Sequence, residues 1–157
     1  MGVLSCSGFT TTSLAEVYDV TGEIITENIT STLQIGTIEI TAIGRETGET
    51  FSDIGSLVGN ITGTEGMFTT LLSHVSRFSQ GNSFVTQDDK AVIVGINDYV
   101  DSVPCSFNIV ETIDKISRGT RFFQNITSAN MTAIGTVSNC PGNNENHFVI
   151  TGTITKD

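Results

Sequence analysis

Cationic side chains are scarce in this sequence, with seven Lys and Arg against seventeen Asp and Glu, and the formal net charge is −10. Nucleic-acid binding depends on cationic contacts to phosphates, and anionic membrane surfaces attract the same basic side chains. The sequence also lacks any apolar run that approaches the ~18 residues of a membrane-spanning helix. The charge and the short apolar runs therefore predict no nucleic-acid partner and no membrane insertion.

The local motifs of common catalytic and cofactor sites are also missing. There is no Gly-x-Ser-x-Gly elbow, no glycine-rich phosphate loop, and no Cys-x-x-Cys or His-x-x-x-His metal pair. The two histidines, His74 and His147, are interpreted as solvated surface residues. Two acidic clusters lack the EF-hand pattern and are interpreted as solvated turns rather than calcium sites: Asp88 with Asp89, and Asn97 and Asp98 with Asp101. We therefore expect no catalytic residue, cofactor or metal, and the sequence favours a non-enzymatic protein.

The residues that are abundant are β-branched. Ile and Val together number 31 against 11 Leu and Ala, and there are 24 Thr. Such side chains lose rotamer freedom in a helix and pack well on a pleated sheet. Two prolines and 16 glycines punctuate short segments at regular spacing, as in a barrel or sandwich. We predict a flexible arm over residues 1–13, then one antiparallel β domain over 14–157 with about eight strands and at most one short helix.

Alternation of apolar and polar residues is clearest over residues 33–43, which predicts a strand with one buried face. Residues 14–20 and 23–28 are predicted as two strands joined by a turn at Thr21 and Gly22. Residues 83–87 and 91–96 are predicted to form a hairpin. The predicted core residues are Ile38, Ile40, Phe107, Ile109, Val149 and Ile154.

One segment, residues 67–78, fits either a helix or a strand. Its apolar residues have helical spacing, whereas a strand would mix polar and apolar side chains on both faces. Its Thr and Ser residues are indifferent helix formers. We favour the helix and keep the strand as the alternative. The apolar residues are Met67, Phe68, Leu71, Leu72, Val75 and Phe78.

Several glycine- and threonine-rich phrases resemble those of the allene-oxide-cyclase-like and dirigent-like barrels. They are residues 60–68 (Asn-Ile-Thr-Gly-Thr-Glu-Gly-Met-Phe), 118–127, 131–137 and 148–154, about a third of the chain. The resemblance implies an eight-stranded barrel with an apolar cavity, often dimeric or trimeric. Some members of this family guide cyclisation or radical coupling. No functional residue of the family can be placed on a position of this sequence.

Three cysteines make an odd count. The first six residues lack the positive and apolar regions of an intact signal peptide, yet the Thr/Asn/Gly-rich texture favours a mature exported protein. Cys105 and Cys140 lie beside prolines at strand edges and are the preferred disulfide pair, which leaves Cys6 free or intermolecular. Three reduced thiols in a cytosolic protein is the alternative. Asn-x-Thr sequons predict glycosylation sites at Asn28, Asn60, Asn125 and Asn130.

These features favour an extracellular or cell-surface structural protein that self-associates as a homo-oligomer or polymer. The N-terminal arm would add its backbone to a neighbour's open sheet edge. Its contact residues would be Val3, Leu4, Cys6 and Phe9. The alternative is a dirigent-like or cyclase-like barrel that binds a small apolar ligand in its interior.

Overall fold

The computed structural model describes residues 14–157, and in this range it contains ten β-strands, two short 3-10 turns and no α-helix. The prediction of an all-β fold is confirmed. The strands are β1 (Glu16–Asn28), β2 (Leu33–Gly44), β3 (Thr50–Glu65), β4 (Thr69–Arg77), β5 (Ser83–Thr86), β6 (Asp89–Val100), β7 (Val103–Ile113), β8 (Ile116–Thr120), β9 (Ile126–Ser138) and β10 (Glu145–Lys156). The 3-10 turns are Ser79–Gly81 and Arg121–Phe123. No helix among the described residues is long and apolar enough to cross a membrane.

Eight of the strands close into an antiparallel barrel in the order β1-β2-β3-β4-β6-β7-β9-β10 and back to β1. The β1–β10 pairing joins the first and last strands, with Glu23 opposite Val149. The β3–β4 pairing closes the other gap, with Val58 opposite Val75. Each barrel strand therefore pairs on both sides, and closure removes the open edges that a sheet would otherwise present.

The two remaining strands, β5 and β8, form an extension of the barrel. Strand β5 pairs with β4 on one side and with β8 on the other. The predicted hairpin between residues 83–87 and 91–96 is wrong, because β5 and β6 both pair with β4 and not with each other. Strand β4 changes partner along its length, from β6 over Thr69–Leu72 to β5 over Val75–Arg77.

The core lies inside the barrel, where period-2 alternation places one face of each strand. The prediction that Val149 belongs to this core is wrong, because its side chain is 53% exposed. The buried positions of β10 are even-numbered, among them Phe148 and Ile150, so Val149 points outward. The other predicted core residues are buried or partly buried: Ile38, Ile40, Phe107, Ile109 and Ile154.

The preference for a helix over residues 67–78 is also wrong. Met67 is 86% exposed in the turn after β3, and strand β4 begins at Thr69. The inward face of β4 carries Leu72, His74 and Ser76, all of them buried. Because this inward face includes polar side chains, the sequence of β4 does not show the alternation that is typical of a strand.

The predicted turn at Thr21 and Gly22 does not exist, because β1 runs through both residues. Gly22 lies where β1 and β2 approach closely, and a Cβ at this position would be 2.4 Å from the carbonyl oxygen of Glu39. Glycine inside a strand often marks such a close backbone approach rather than a turn.

An aromatic cluster fills the barrel on the side of the second 3-10 turn. Phe123 lies at its centre, with ring centroids 4.9 Å from Phe51, 4.9 Å from Phe84 and 5.5 Å from Phe78. Phe122 stacks on Phe51 with centroids 4.8 Å apart. The 3-10 turn therefore anchors the β8–β9 connection to the core through two large side chains.

Candidate functional site

Strand β7 carries a carboxylate on its buried face. Ile109, Glu111 and Ile113 are all buried, so Glu111 occupies a position that alternation reserves for the core. A buried carboxyl group at such a position destabilises the folded state unless it is paired or neutralised. Its partners come from the neighbouring strand β6, which pairs with β7, and from β4, which pairs with β6.

Two further polar side chains converge on Glu111 from β4 and β6. The Nδ1 atom of His74 lies 2.8 Å from Oδ2 of Asp89 and 3.5 Å from Oε1 of Glu111. The exposed fractions of His74, Asp89 and Glu111 are 6%, 0% and 4%. We call these three residues the His–Asp–Glu cluster.

The change of partner by β4 builds this cluster. His74 lies between the part of β4 that pairs with β6 and the part that pairs with β5, and Asp89 is the first residue of β6. Thr86, at the end of β5, accepts a hydrogen bond from the backbone N–H of His74 at 3.1 Å. Its hydroxyl donates to Oδ2 of Asp89. Thr86 therefore fixes the positions of both neighbours.

Burial and mutual charge set the protonation of the cluster. Burial lowers the pKa of His74, but the carboxylates of Glu111 and Asp89 outweigh it and raise the pKa of His74 overall. Burial raises the pKa of Glu111, and the attraction of His74 offsets this only in part. The cluster therefore favours a charged imidazole and resists full ionisation of Glu111.

Two carboxylate oxygens in the cluster are buried without a hydrogen-bond partner, Oδ1 of Asp89 and Oε1 of Glu111. In the part of the chain that the structure describes, one other buried side-chain atom lacks a partner, the hydroxyl of Ser76 two residues beyond His74 on the same face of β4. Buried polar atoms almost always have hydrogen-bond partners in folded proteins, so two buried oxygens without such partners at one place need an explanation.

A cavity of about 210 Å³ adjoins the cluster inside the barrel. Glu111 belongs both to the cavity wall and to the cluster, and among the described lining residues it is the one ionisable side chain. The apolar lining residues are Ile61, Leu72, Ala91, Ile93, Phe107, Ile109, Val137 and Phe148, and the other polar ones are Gln34, Thr70 and Asn139.

Gly59 on β3 leaves room for the imidazole. A Cβ on Gly59 would lie 3.0 Å from Cδ2 and 3.1 Å from Nε2 of His74. These distances are tighter than ordinary van der Waals contact, so a larger residue would displace the ring. The glycine thus lets His74 lie close against the β3 backbone.

The predicted Cys105–Cys140 disulfide is present, with Cα atoms 4.9 Å apart. Among the predicted glycosylation sites, Asn60, Asn125 and Asn130 are exposed. The amide of Asn28 instead donates hydrogen bonds to the carbonyl oxygen of Ser138 at 2.9 Å and to Asn146 at 3.2 Å. The predicted arm and its contact residues lie outside the described residues: Val3, Leu4, Cys6 and Phe9.

The interpretation of both histidines as solvated surface residues is wrong for His74. His147 is exposed and pairs with Glu23 across β10 and β1. The interpretation of Asp88 and Asp89 as a solvated turn fails for Asp89, which is buried, while Asp88 is exposed. One signal was available in the sequence, since Glu111 interrupts the apolar face of the alternating segment that became β7.

Residues 14–157 thus form an eight-stranded antiparallel barrel with two additional strands, and its interior holds a cavity and a buried His–Asp–Glu cluster. Comparisons with family models, with curated proteins and with solved structures find no match for the chain. Its function must therefore be inferred from the chemistry of the cavity and the cluster.

Proposed function

We propose that this protein binds a small, largely apolar molecule inside its barrel. The observation that carries the proposal is the cavity of about 210 Å³, which eight apolar side chains line around one buried carboxyl group. Ligand sites are typically concave and apolar with a few polar groups that fix orientation, and barrel interiors commonly provide them. The geometry therefore best supports the hypothesis of a ligand-binding barrel, which the resemblance to dirigent-like proteins implies.

The polar residues of the cavity wall indicate which chemical groups the ligand contains. Glu111 is buried within the wall, and Gln34, Thr70 and Asn139 add an amide, a hydroxyl and a second amide. The apolar side chains outnumber these groups. The volume lies below the usual range of about 300–1,000 Å³ for drug-sized ligands. A compact hydrocarbon or aromatic body with one or two hydrogen-bonding groups fits this wall.

Replacing Ala91 with isoleucine should fill part of the cavity and weaken binding of a small aromatic probe such as fluorobenzene at least tenfold. Ala91 lines the cavity from β6, and a β-branched residue is well tolerated in a strand. Binding is measured by ¹⁹F NMR titration of the full chain. Thr132→Ile on β9 is the matched control, because Thr132 lies on the outward-facing side of its strand between two buried positions.

The control variant should bind fluorobenzene as the parent does. Equal affinity in the Ala91→Ile and parent proteins would place the probe elsewhere, and no binding by the parent would reject the proposal. Thermal unfolding of each variant shows that a lost signal reflects the filled cavity rather than a lost fold.

We infer a second function, self-association, from the outer surface of the barrel. Ile134 on β9 is 58% exposed, stands directly opposite the exposed Val149 on β10, and flanks Val110 on β7. This apolar row crosses three neighbouring strands. A second copy presents the same row, so a symmetric contact would cover both. This proposal keeps the homo-oligomer predicted from the sequence but assigns it to the barrel wall.

Replacing Ile134 with lysine should convert a self-associated species to a monomer, because a charge would be placed within the apolar row. Light scattering after size exclusion gives the mass in solution. Ser56→Lys, at an exposed position on β3 away from the row, should leave the mass unchanged. A monomeric parent protein, or an Ile134→Lys variant with the parent's mass, would reject the contact.

An extracellular or cell-surface location also remains part of the proposal. The Cys105–Cys140 disulfide supports it, since disulfides persist mainly in oxidising compartments. Glycosylation at the three exposed sequons would follow from the same location. These sites are Asn60, Asn125 and Asn130.

A further inference from the structure

The His–Asp–Glu cluster combines three potential metal ligands in the barrel interior. One imidazole nitrogen and two carboxylate oxygens, one from each residue, all lie within 4.8 Å of one another. The three side chains come from β4, β6 and β7, so the rigid barrel wall holds them together. We propose that His74, Asp89 and Glu111 bind one divalent transition-metal ion such as zinc.

The spacing of the donor atoms suits such an ion. Zinc binds imidazole nitrogen at about 2.0–2.1 Å and carboxylate oxygen at about 2.0–2.2 Å, which places neighbouring ligands of a tetrahedral ion about 3.3 Å apart. In the cluster, Nδ1 of His74 is 2.8 Å from Asp89 and 3.5 Å from Glu111. Small rotations of the two carboxylates would place all three donor atoms around one ion.

The carboxylate oxygens of the cluster have too few hydrogen-bond donors around them, which points to a missing cation. Asp89 Oδ1 and Glu111 Oε1 are buried without a hydrogen-bond partner. No Lys or Arg forms an ion pair with either carboxylate in residues 14–157. Two carboxyl groups therefore share a single imidazole in a buried environment. A doubly charged ion would supply the balancing charge and a partner for the oxygens.

Thr86 supplies the supporting contact that a metal ligand needs. Its hydroxyl donates to the Asp89 carboxylate and accepts the backbone N–H of His74. A hydrogen bond such as the one to the Asp89 carboxylate orients a metal-bound side chain and contributes to metal affinity. Gly59, paired with His74 on the neighbouring strand β3, leaves room for the same imidazole. Two of the three ligands are thus held in place before any ion binds.

With three protein ligands, a tetrahedral ion would keep one coordination position open. Three protein ligands with a free fourth position are typical of catalytic zinc sites, whereas structural sites are closed by four. Glu111 belongs to both the cluster and the cavity wall, so an ion bound to it would lie close to a molecule in the cavity. The role of the ion toward a bound molecule rests on the proposed function, but metal binding itself does not.

Titration of the chelator-treated full chain with metal alone tests the site. Isothermal calorimetry with Zn²⁺ should give one equivalent per chain, and Co²⁺ should give the visible absorption bands of a low-symmetry, four- or five-coordinate ion. Asp89→Asn and His74→Gln should each weaken binding by more than about 100-fold, because loss of a ligand exceeds the 10–100-fold cost of losing a supporting contact. The thermal midpoint of the parent protein should rise with metal concentration.

His147→Gln is the matched control. The His147–Glu23 pair also joins an imidazole to a carboxylate, but both side chains are about half exposed. This variant should bind one equivalent as the parent does. Binding that survives in Asp89→Asn and His74→Gln but is lost in His147→Gln would assign the metal to the surface and overturn the proposal.

A measurement on the parent protein keeps the test decisive if the cluster variants do not fold. The chain has two histidines, so the His147→Gln variant assigns their imidazole NMR signals, and Zn²⁺ should perturb those of His74 first. The absence of any saturable binding, or perturbation of His147 alone, would reject the site. The probe titration of the cavity uses no metal, so either experiment can fail without deciding the other.

Discussion

Replacing Phe123 with alanine should destabilise the protein by about 3–5 kcal/mol, the range for removal of a buried aromatic side chain. Phe123 is 1% exposed, and its ring contacts those of Phe51, Phe78 and Phe84. The cavity left behind cannot close easily, because those rings are held by three different strands or their ends. Urea unfolding at equilibrium measures the change in the free energy of unfolding.

Phe68→Ala is the control for this change. Phe68 is exposed in the turn between β3 and β4, so its truncation should alter the free energy of unfolding by no more than about 0.5 kcal/mol. A loss below about 1 kcal/mol in Phe123→Ala would mean that the aromatic cluster is not tightly packed.

Replacing His74 with leucine should destabilise the protein by about 3–5 kcal/mol at neutral pH. Leucine keeps an apolar volume in the barrel but leaves Asp89 and Glu111 buried beside each other without a cationic partner. Removal of one partner from a buried charged group costs this much because the other charge stays desolvated. Urea unfolding in the presence of a chelator excludes any contribution from bound metal.

Two comparison variants separate the buried charge from a general effect of losing histidine. His147→Leu breaks an exposed pair and should cost no more than about 1 kcal/mol. The triple variant His74→Leu, Asp89→Leu, Glu111→Leu should recover much of the stability lost in His74→Leu, since whole buried ionic groups are often replaceable by apolar ones. A triple variant less stable than His74→Leu would show that the two carboxylates do not oppose folding.

The fold class was predictable from residue chemistry. The excess of Ile, Val and Thr predicted strands, and alternation placed Ile38, Ile40 and Ile109 inside the barrel. The choice between barrel and sandwich was not predictable in the same way. A barrel requires the β1–β10 and β3–β4 pairings, and local alternation does not specify which strands pair. The hairpin assigned to residues 83–87 and 91–96 failed for the same reason.

The candidate site was harder to predict because its residues violate the patterns that reveal strands. His74 and Ser76 are polar residues on the buried face of β4, so the segment resembled a helix. Asp89 follows an exposed Asp88 and resembled part of a turn. Only the packing of three strands brings these side chains to Glu111. Conflict between local pattern and global fold is most common at functional sites, and here it coincides with the cluster.

Closure of the barrel through β1 and β10 has a consequence for how the chain reaches its native state. The register places Glu16 opposite Lys156 and Glu27 opposite Glu145, so the pairing joins segments from opposite ends of the described chain. Contacts between residues so distant in sequence require loop closure before they contribute stability, and proteins rich in them fold in milliseconds to seconds. During synthesis, β1 and β9 therefore have unpaired edges until β10 emerges. The wall around the cavity and the cluster is completed only at that last step.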